Sequence, residues 1–481
     1  MNTILKYLKT KNNIKLVLYT FIIAFIYITI CSKCSFIYPF NDWDDVDVYI
    51  TCAKLMSEGY KPYKDFIYQS GPLTSFLFYI LYLIDIRPFF SNYILEIICA
   101  FFTLFFGYKT MKIVDSNVPI ISIAILGLIY ASNVLRGGGG CTEEFALPLL
   151  MYINFKYTNI LYNNYNVKVK DTVIISIIFG ILFWVKFTLL IIPFGMTIVL
   201  LIKSIKEKKL KTFIKNYSII AIIMILISLT LILVLYKYNI LNETLYSYII
   251  NNSTNYNNKY NIFIIFLYSY RYAIAYCTCI VYSLYIVAYK RRNINIIIIS
   301  LLSLFYFFKP FGYYLLPLSL VFAHSIPFIL SNFNNRYNII NKLTIPLTLV
   351  ITILLMIFAP NTYLLKYSKE DMPQFRFARQ IKENSLQCFT SLDIGFYYVS
   401  NTNPINKYLF IININQSETA NNILNTINNE SVTYVITDNN TNKYMDNTNY
   451  KLIDTCDFIR DSFVDYNETY YLYELKGDKY E

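Results

Sequence analysis

The sequence predicts an α-helical polytopic membrane protein of about eleven transmembrane crossings, followed by a small C-terminal α/β domain. Three observations predict it. Of the 481 residues, 56% are hydrophobic and only 15% are charged, an excess too great for an ordinary soluble protein. Apolar runs near or above the ~18–20 residues that span a bilayer recur between Lys15 and Pro360. From Asn361 onward the balance of charge reverses: eleven Lys/Arg stand against sixteen Asp/Glu, a balance of −5 in a chain of net charge +12, which leaves about +17 for the rest. A basic membrane part with an acidic tail argues against nucleic acid as a partner. Its cations report topology instead.

The apolar segments fall at 16–36, 72–86, 91–108, 117–133, 143–160, 172–186, 187–203, 217–237, 261–288, 294–308, 311–330 and 343–360. The first follows a basic N-terminus, "MNTILKYLKTKNNIK", and no small-residue cleavage pattern ends it, so it reads as an uncleaved helix. Between the segments lie basic loops: Lys109–Lys112, Val167–Lys170, Lys203–Lys215, Lys290–Arg292 and Asn334–Lys342. The positive-inside rule places them all in the cytoplasm. That assignment requires the segments between 72 and 108 to make one net crossing. The shorter, "GPLTSFLFYILYLID", closed by Asp85 and Arg87, is read as interfacial or re-entrant; the alternative is that both segments cross and the Lys109–Lys112 loop lies outside. On the first reading the N-terminus is inside and the tail outside. Residues 1–360 form the membrane domain with a first outer loop at 37–71, and 361–481 form the outer α/β domain. In that tail "QFRFARQIKENS" has helical spacing, "SVTYVITD" reads as a buried strand, and "YNETYYLYEL" alternates like an edge strand.

The chemistry concentrates in "NDWDDVDVYITCAKLMSEGYKPYKDFIYQSGPL". It sets four aspartates, Asp42, Asp44, Asp45 and Asp47, at the point where the chain leaves the membrane. Tyr49, Ala53 and Met56 recur at helical spacing, so a short amphipathic helix follows, with the aspartates at its N-terminus, where the helix dipole favours negative charge. Capping explains one or two of them and does not require four. A second block, "RGGGGCTEE", starts another helix, with Thr142 as cap and Glu143 and Glu144 in the first turn. Lys186 stands between two apolar runs, where an unpaired cation costs ~2.5–3.5 kcal/mol. The nine cysteines make no framework, and the Cys31–Cys34 pair lies in an apolar helix with no second pair to complete a metal site. Cys388 and Cys456 are both in the tail, and spacing alone does not say whether they pair. The single histidine, His324, reads as a buried, hydrogen-bonded helix residue, and one histidine excludes a multi-histidine metal site.

The first block resembles the first-loop signature of the glycosyltransferase-C superfamily, in the branch that includes protein O-mannosyltransferases and bacterial aminoarabinose transferases. Asp45, Asp47, Tyr49, Ala53, Lys54, Gly59, Pro62, Tyr63, Asp65, Gly71, Pro72 and Leu73 match it. "GGGGCTEEFALPLL" is similar to a Gly-Gly-x-x-Thr-Glu-Glu segment of bacterial members, "GILFWVKFTLLIIP" to their lysine-containing helix hairpin, and "SLDIGFYYVSNTNPINKYLF" to their outer domain. Many members carry Asp-Glu where this chain has Asp45-Val46, so Asp44-Asp45 is an alternative register for the base.

The resemblance implies an inverting transferase of the bacterial cytoplasmic membrane. It would take a sugar from a polyprenyl-phosphate donor on the outer face and pass it to a hydroxyl of a glycan, lipid or protein. Such chemistry needs a base at the acceptor and a cation at the departing phosphate. Asp45 is the candidate base. Asp44, Asp47, Tyr63, Lys64, Asp65, Arg136, Glu143, Glu144, Lys186 and Lys309 are candidate substrate-binding residues. No metal ligand is assigned, and dependence on a divalent metal stays open. The rival expectations are a transporter or flippase, which would cluster its buried charges mid-membrane, and a non-catalytic assembly protein in which the aspartates are caps.

Overall fold

A chain out of water must satisfy its backbone N–H and C=O groups within itself, so long apolar stretches fold as helices. The computed structural model describes residues 11–131, 138–163, 165–254, 313, 316–331, 337–391, 393–412, 416–461 and 466–476. Its longer helices are α1 (Lys11–Cys31), α2 (Asp44–Ser57), α3 (Pro72–Ile84), α4 (Phe90–Val114), α5 (Ser122–Ala131), α6 (Thr142–Tyr162), α7 (Val169–Lys186), α8 (Ile191–Lys206), α9 (Leu210–Lys237), α10 (Leu318–Ser331), α11 (Thr344–Phe358) and α12 (Gln416–Asn428). Among the described residues, Asn13–Cys31, Phe90–Val114, Val169–Lys206 and Leu210–Lys237 are long and apolar enough to cross a membrane. The segments read at 261–288 and 294–308 lie outside the described residues.

Two compact units emerge. One draws on Met1–Ser35, Asn92–Thr230 and Lys259–Ala359, the other on Phe36–Ser91, Leu231–Asn258 and Pro360–Glu481. The first is a bundle. Without water to drive association, membrane helices pack where small residues let them approach closely. A Cβ on Gly127 of α5 would lie 3.0 Å from Ile23 and Tyr27 of α1, and one on Gly180 of α7 would lie 2.7 Å from Ile227 of α9. The chain reverses at Lys186, whose extended backbone (φ −161°, ψ 97°) interrupts the apolar run. Phe179 and Phe194, on either side of the reversal, pack edge to face at 5.6 Å, the hairpin that the sequence predicts. His324 is buried in α10, its Nε2 2.9 Å from Oδ1 of Asn154, in line with the reading of a buried, hydrogen-bonded helix residue.

The second unit joins the first loop to the tail. Its α3 has 13 residues, about 20 Å of helix against the ~30 Å of a hydrocarbon core. It packs instead on α2, with Tyr49 and Phe78 rings 4.7 Å apart. The tail builds a four-stranded sheet of order β1-β2-β4-β3 from β1 (Leu386–Phe389), β2 (Tyr434–Thr437), β3 (Tyr450–Asp461) and β4 (Tyr466–Leu475). β1 and β2 run parallel, joined through α12; β2–β4 and β4–β3 are antiparallel.

Two sequence expectations change here, and one question left open by the sequence is answered. β4, read as an edge strand, is interior, because β3 covers it; its alternation marks one buried face, not an edge. The helix read over "QFRFARQIKENS" is only Pro373–Ala378, and Arg376 there grips Asp454 of β3 through Nε (2.9 Å) and Nη2 (2.6 Å). Cys388 of β1 and Cys456 of β3 form no disulfide. Two strands separate theirs, about 14 Å at the usual strand spacing, far beyond the reach of an S–S bond.

Candidate functional site

The four aspartates of the first loop separate into different environments. Asp42 precedes α2, and its Oδ2 accepts from the Tyr363 hydroxyl at 3.3 Å. Asp44, Asp45 and Asp47 all lie inside the first turn of α2. The helix therefore starts earlier than the spacing of its apolar residues suggests, with Trp43 at the N-cap position and no side-chain cap. The dipole of that turn favours the negative charge. Asp44 and Asp45 are half-buried, whereas Asp47 is 0% exposed. At 3.6 residues per turn, Asp45 lies roughly 160° around the helix from Asp47, and Asp44 only about 60° from it.

The face that carries Asp47 is docked. Thr51 donates from Oγ1 to Asp393 Oδ2 at 3.1 Å, and Asp393 Oδ1 accepts from Gly395 N (2.9 Å) and Phe396 N (3.1 Å). Lys54, 2% exposed, donates to the carbonyls of Thr402 (2.8 Å) and Tyr397 (3.4 Å) and to Asn403 Oδ1 (3.2 Å). Asn403 Nδ2 donates to Glu58 Oε2 at 2.5 Å. Gly395 is left-handed (φ +92°), and a Cβ there would stand 2.9 Å from the Phe40 ring and 3.0 Å from Asp47 Oδ1. Only glycine permits this approach. The stretch 393–403 thus grips α2 along Asp47, Thr51, Lys54 and Glu58. Sequence reading matched Lys54 to a motif without a role and passed over Asp393 and Gly395; the Asp-x-Gly turn was the available signal.

The rest of the first loop serves its own architecture. Tyr63 is buried and left-handed (φ 68°), and its hydroxyl donates to the Ser70 carbonyl at 2.7 Å. Asp65 Oδ2 accepts from Lys61 N at 2.7 Å and closes a turn, while Lys64 is exposed beside it. Tyr63 is therefore closed to a ligand, and Lys64 is open to solvent.

The second acidic block forms a separate network in the bundle. The helix starts at Thr142, with Cys141 at the N-cap position and no side-chain cap. Thr142 is thus a first-turn residue and not the expected cap. Glu144 reaches back past the N-cap residue: its Oε2 accepts from Gly140 N at 2.9 Å and its Oε1 from the Tyr130 hydroxyl at 2.9 Å. Gly139 and Gly140 are both left-handed (φ 94° and 81°), which turns the chain into the helix. Glu143, 1% exposed, is ion-paired with Lys186, whose Nζ also lies 5.9 Å from the centre of the Tyr313 ring. Arg136 and Lys309 lie outside the described residues. Among the described residues, no three His, Cys, Asp or Glu side chains converge as a metal site needs.

Burial pushes the Asp393 carboxyl up to about 6, and the charge of Asp44 adds to the rise; the bonds from Gly395, Thr51 and Phe396 oppose it. Cys52, Cys388 and Tyr397 also face it. An ordinary aspartate titrates near ~3.9. The folded protein therefore holds this proton more tightly than the unfolded chain. The stability this contributes is full below pH ~4, falls away as pH rises through about 6, and is gone above it. Asp393→Asn keeps the hydrogen bonds by donating to Thr51 and removes the charge. It should be more stable than the parent by ~1–3 kcal/mol at pH 7.5 and close to it at pH 4.5, read as thermal melts in detergent. Equal differences at both pH values would show that Asp393 does not titrate in this window.

Lys186→Gln should lower the melting temperature, because it strands a buried Glu143, a loss of ~3–5 kcal/mol for a fully buried pair. Adding Glu143→Gln should restore most of it. A single variant as stable as the parent would mean the pair contributes nothing.

No family model and no curated protein sequence matches this chain. Solved structures do. It is similar to ArnT from Cupriavidus metallidurans in the apo state, with a TM-score of 0.58 at 9% identity over 95% of this chain and 97% of that one. The same protein bound to undecaprenyl phosphate gives 0.54 at 9% identity over the same shares. The archaeal oligosaccharyltransferase AglB from Archaeoglobus fulgidus, in complex with an inhibitory peptide and a dolichol-phosphate, gives 0.48 at 11% identity over 90% of this chain and 70% of that one. The chain shares its fold with ArnT: a helical part with apolar candidate membrane spans, followed by a small C-terminal α/β domain.

Proposed function

We propose that this protein is a membrane glycosyltransferase that moves a sugar from a polyprenyl-phosphate donor to an acceptor hydroxyl, inverting the anomeric centre, on the outer face of the bacterial cytoplasmic membrane. The observation that carries the reading is the half-buried Asp45 in the first turn of α2, within a fold similar to that of a protein solved with undecaprenyl phosphate. Asp45 is the base. It takes the proton of the acceptor hydroxyl as the acceptor oxygen attacks the anomeric carbon and the bond to the lipid phosphate breaks. Proton transfer of this kind contributes ~10²–10⁴-fold. Of the two registers for the base, helical geometry favours Asp45, because Asp44 sits toward the docked face. Lys186 is the candidate for the departing phosphate. Its partner Glu143 holds it in place and is the group a phosphate must displace or share.

Asp→Asn preserves size and hydrogen bonding but removes basicity. With purified protein and a panel of radiolabelled polyprenyl-phosphate sugars, Asp45→Asn should lower turnover by ~10²-fold or more while undecaprenyl phosphate binding holds. Asp44→Asn and Asp47→Asn should keep most activity. Loss in Asp44→Asn with a tolerated Asp45→Asn would move the base by one residue. Full activity in all three would make the aspartates structural and remove the enzyme's base.

The first loop and the tail should share the outer face. In a cysteine-free background, single cysteines at the exposed positions Lys64 and Asn440 should both react with an impermeant thiol reagent in intact cells. Reaction at only one would overturn this topology.

A further inference from the structure

The buried carboxylate of Asp393 has no part in the chemistry above, yet it is tied to the helix that carries the base. Its three hydrogen bonds join the turn Gly395–Phe396 to Thr51 in the middle of α2. Three more bonds from the Lys54 ammonium reach the Tyr397 and Thr402 carbonyls and the Asn403 amide, one turn further along. Asp47, Thr51, Lys54 and Glu58 recur at i, i+4, i+7 and i+11, a single stripe along the helix. The tail segment holds that stripe over its whole length, and Asp45 lies on the opposite side.

We propose that Asp393 is a positioning residue for the transfer reaction: through Thr51 it fixes the rotation and height of α2, and so sets where Asp45 meets the acceptor hydroxyl. A helix held along one face by a buried carboxylate and a buried ammonium has little freedom to turn about its axis. The tail domain thereby orients the base from the face of α2 away from it. Gly395 makes the grip possible, because its left-handed turn brings the backbone against Asp47 where a side chain would collide with the Phe40 ring. This inference rests on the reading of Asp45 as the base.

The test uses the full-length protein and the polyprenyl-phosphate sugar that supports wild-type turnover. Thr51→Val keeps the volume of the side chain and removes the donor; Asp393→Ala removes the acceptor. Each should lower kcat about tenfold or more, since small displacements of a reacting group cost this much, while affinity for undecaprenyl phosphate stays within about twofold of the parent, as expected of a defect confined to the chemical step. Thr51→Ser and Asp393→Asn, which rebuild the bond, should restore kcat. The double variant Thr51→Val with Asp393→Ala should be no worse than the weaker single, as for two halves of one contact. Unchanged kcat in Thr51→Val overturns the proposal, and that variant carries the test even where Asp393→Ala does not fold. So does a parallel loss of undecaprenyl phosphate binding, or a failure of Thr51→Ser to rescue. Asp45→Asn run alongside separates the two failures. If it stays active, the base is wrong and the positioning role falls with it. If it is inactive while Thr51→Val is fully active, only the positioning role falls.

Discussion

The second unit depends on burying an ammonium and a carboxylate without an ion pair between them. Lys54 gives its three protons to two carbonyls and an amide oxygen. Asp393 takes two backbone N–H groups and a hydroxyl. Burial pushes the Lys54 ammonium below its ordinary value, with Glu58 opposing, just as burial pushes Asp393 up. Each charge is expensive to bury and is held only because its donors or acceptors are used. The three Lys54 bonds and the Thr51 bond to Asp393 form only when residues 393–403 lie against α2. A first loop and a tail separated by more than three hundred residues in sequence are bound by that condition into one unit.

The same economy appears in the bundle with different means. Glu144 satisfies a glycine N–H and a tyrosine hydroxyl, and Glu143 neutralises Lys186. The two neighbouring carboxylates in one first turn therefore divide the work: one closes the turn that enters the helix, the other balances a cation at a helix reversal. The lysine that breaks the apolar run is tolerated because it does not stand alone. Its ion pair and the Tyr313 ring replace the water it gives up.

Much of the fold was legible in the sequence. Apolar length and the separation of basic loops marked the helices, because a lipid-facing helix must be apolar around most of its surface. The reversal at Lys186, the buried and hydrogen-bonded His324, the buried strand at Tyr434–Thr437 and the helix beginning at the two glutamates were all readable as local pattern. The short α3 was readable too, since its apolar run falls short of a bilayer. Helix starts were read less well: both α2 and α6 begin without a side-chain cap, and Thr142, read as a cap, is itself a first-turn residue. The order of strands was not readable, because alternation reports which face is buried and not which neighbour stands beside it. That is why β4 looked like an edge and why the separation of Cys388 from Cys456 was hidden.

Of the candidate site, the sequence by itself determined the chemical groups: a dense carboxylate cluster at a membrane exit, a lysine between apolar runs and two glutamates at a helix start. Their roles in the fold were decided only by the tertiary structure. Asp47 and Tyr63 turned out buried, Asp65 closes a turn, and Glu143 meets Lys186 across forty residues of chain. Asp393, unremarkable in sequence, reaches the helix of the first loop. The physical reason is that a motif fixes residue type and spacing along one element, where 3.6 residues per turn assign faces. Which face a distant segment grips depends on that partner segment, which local spacing does not encode.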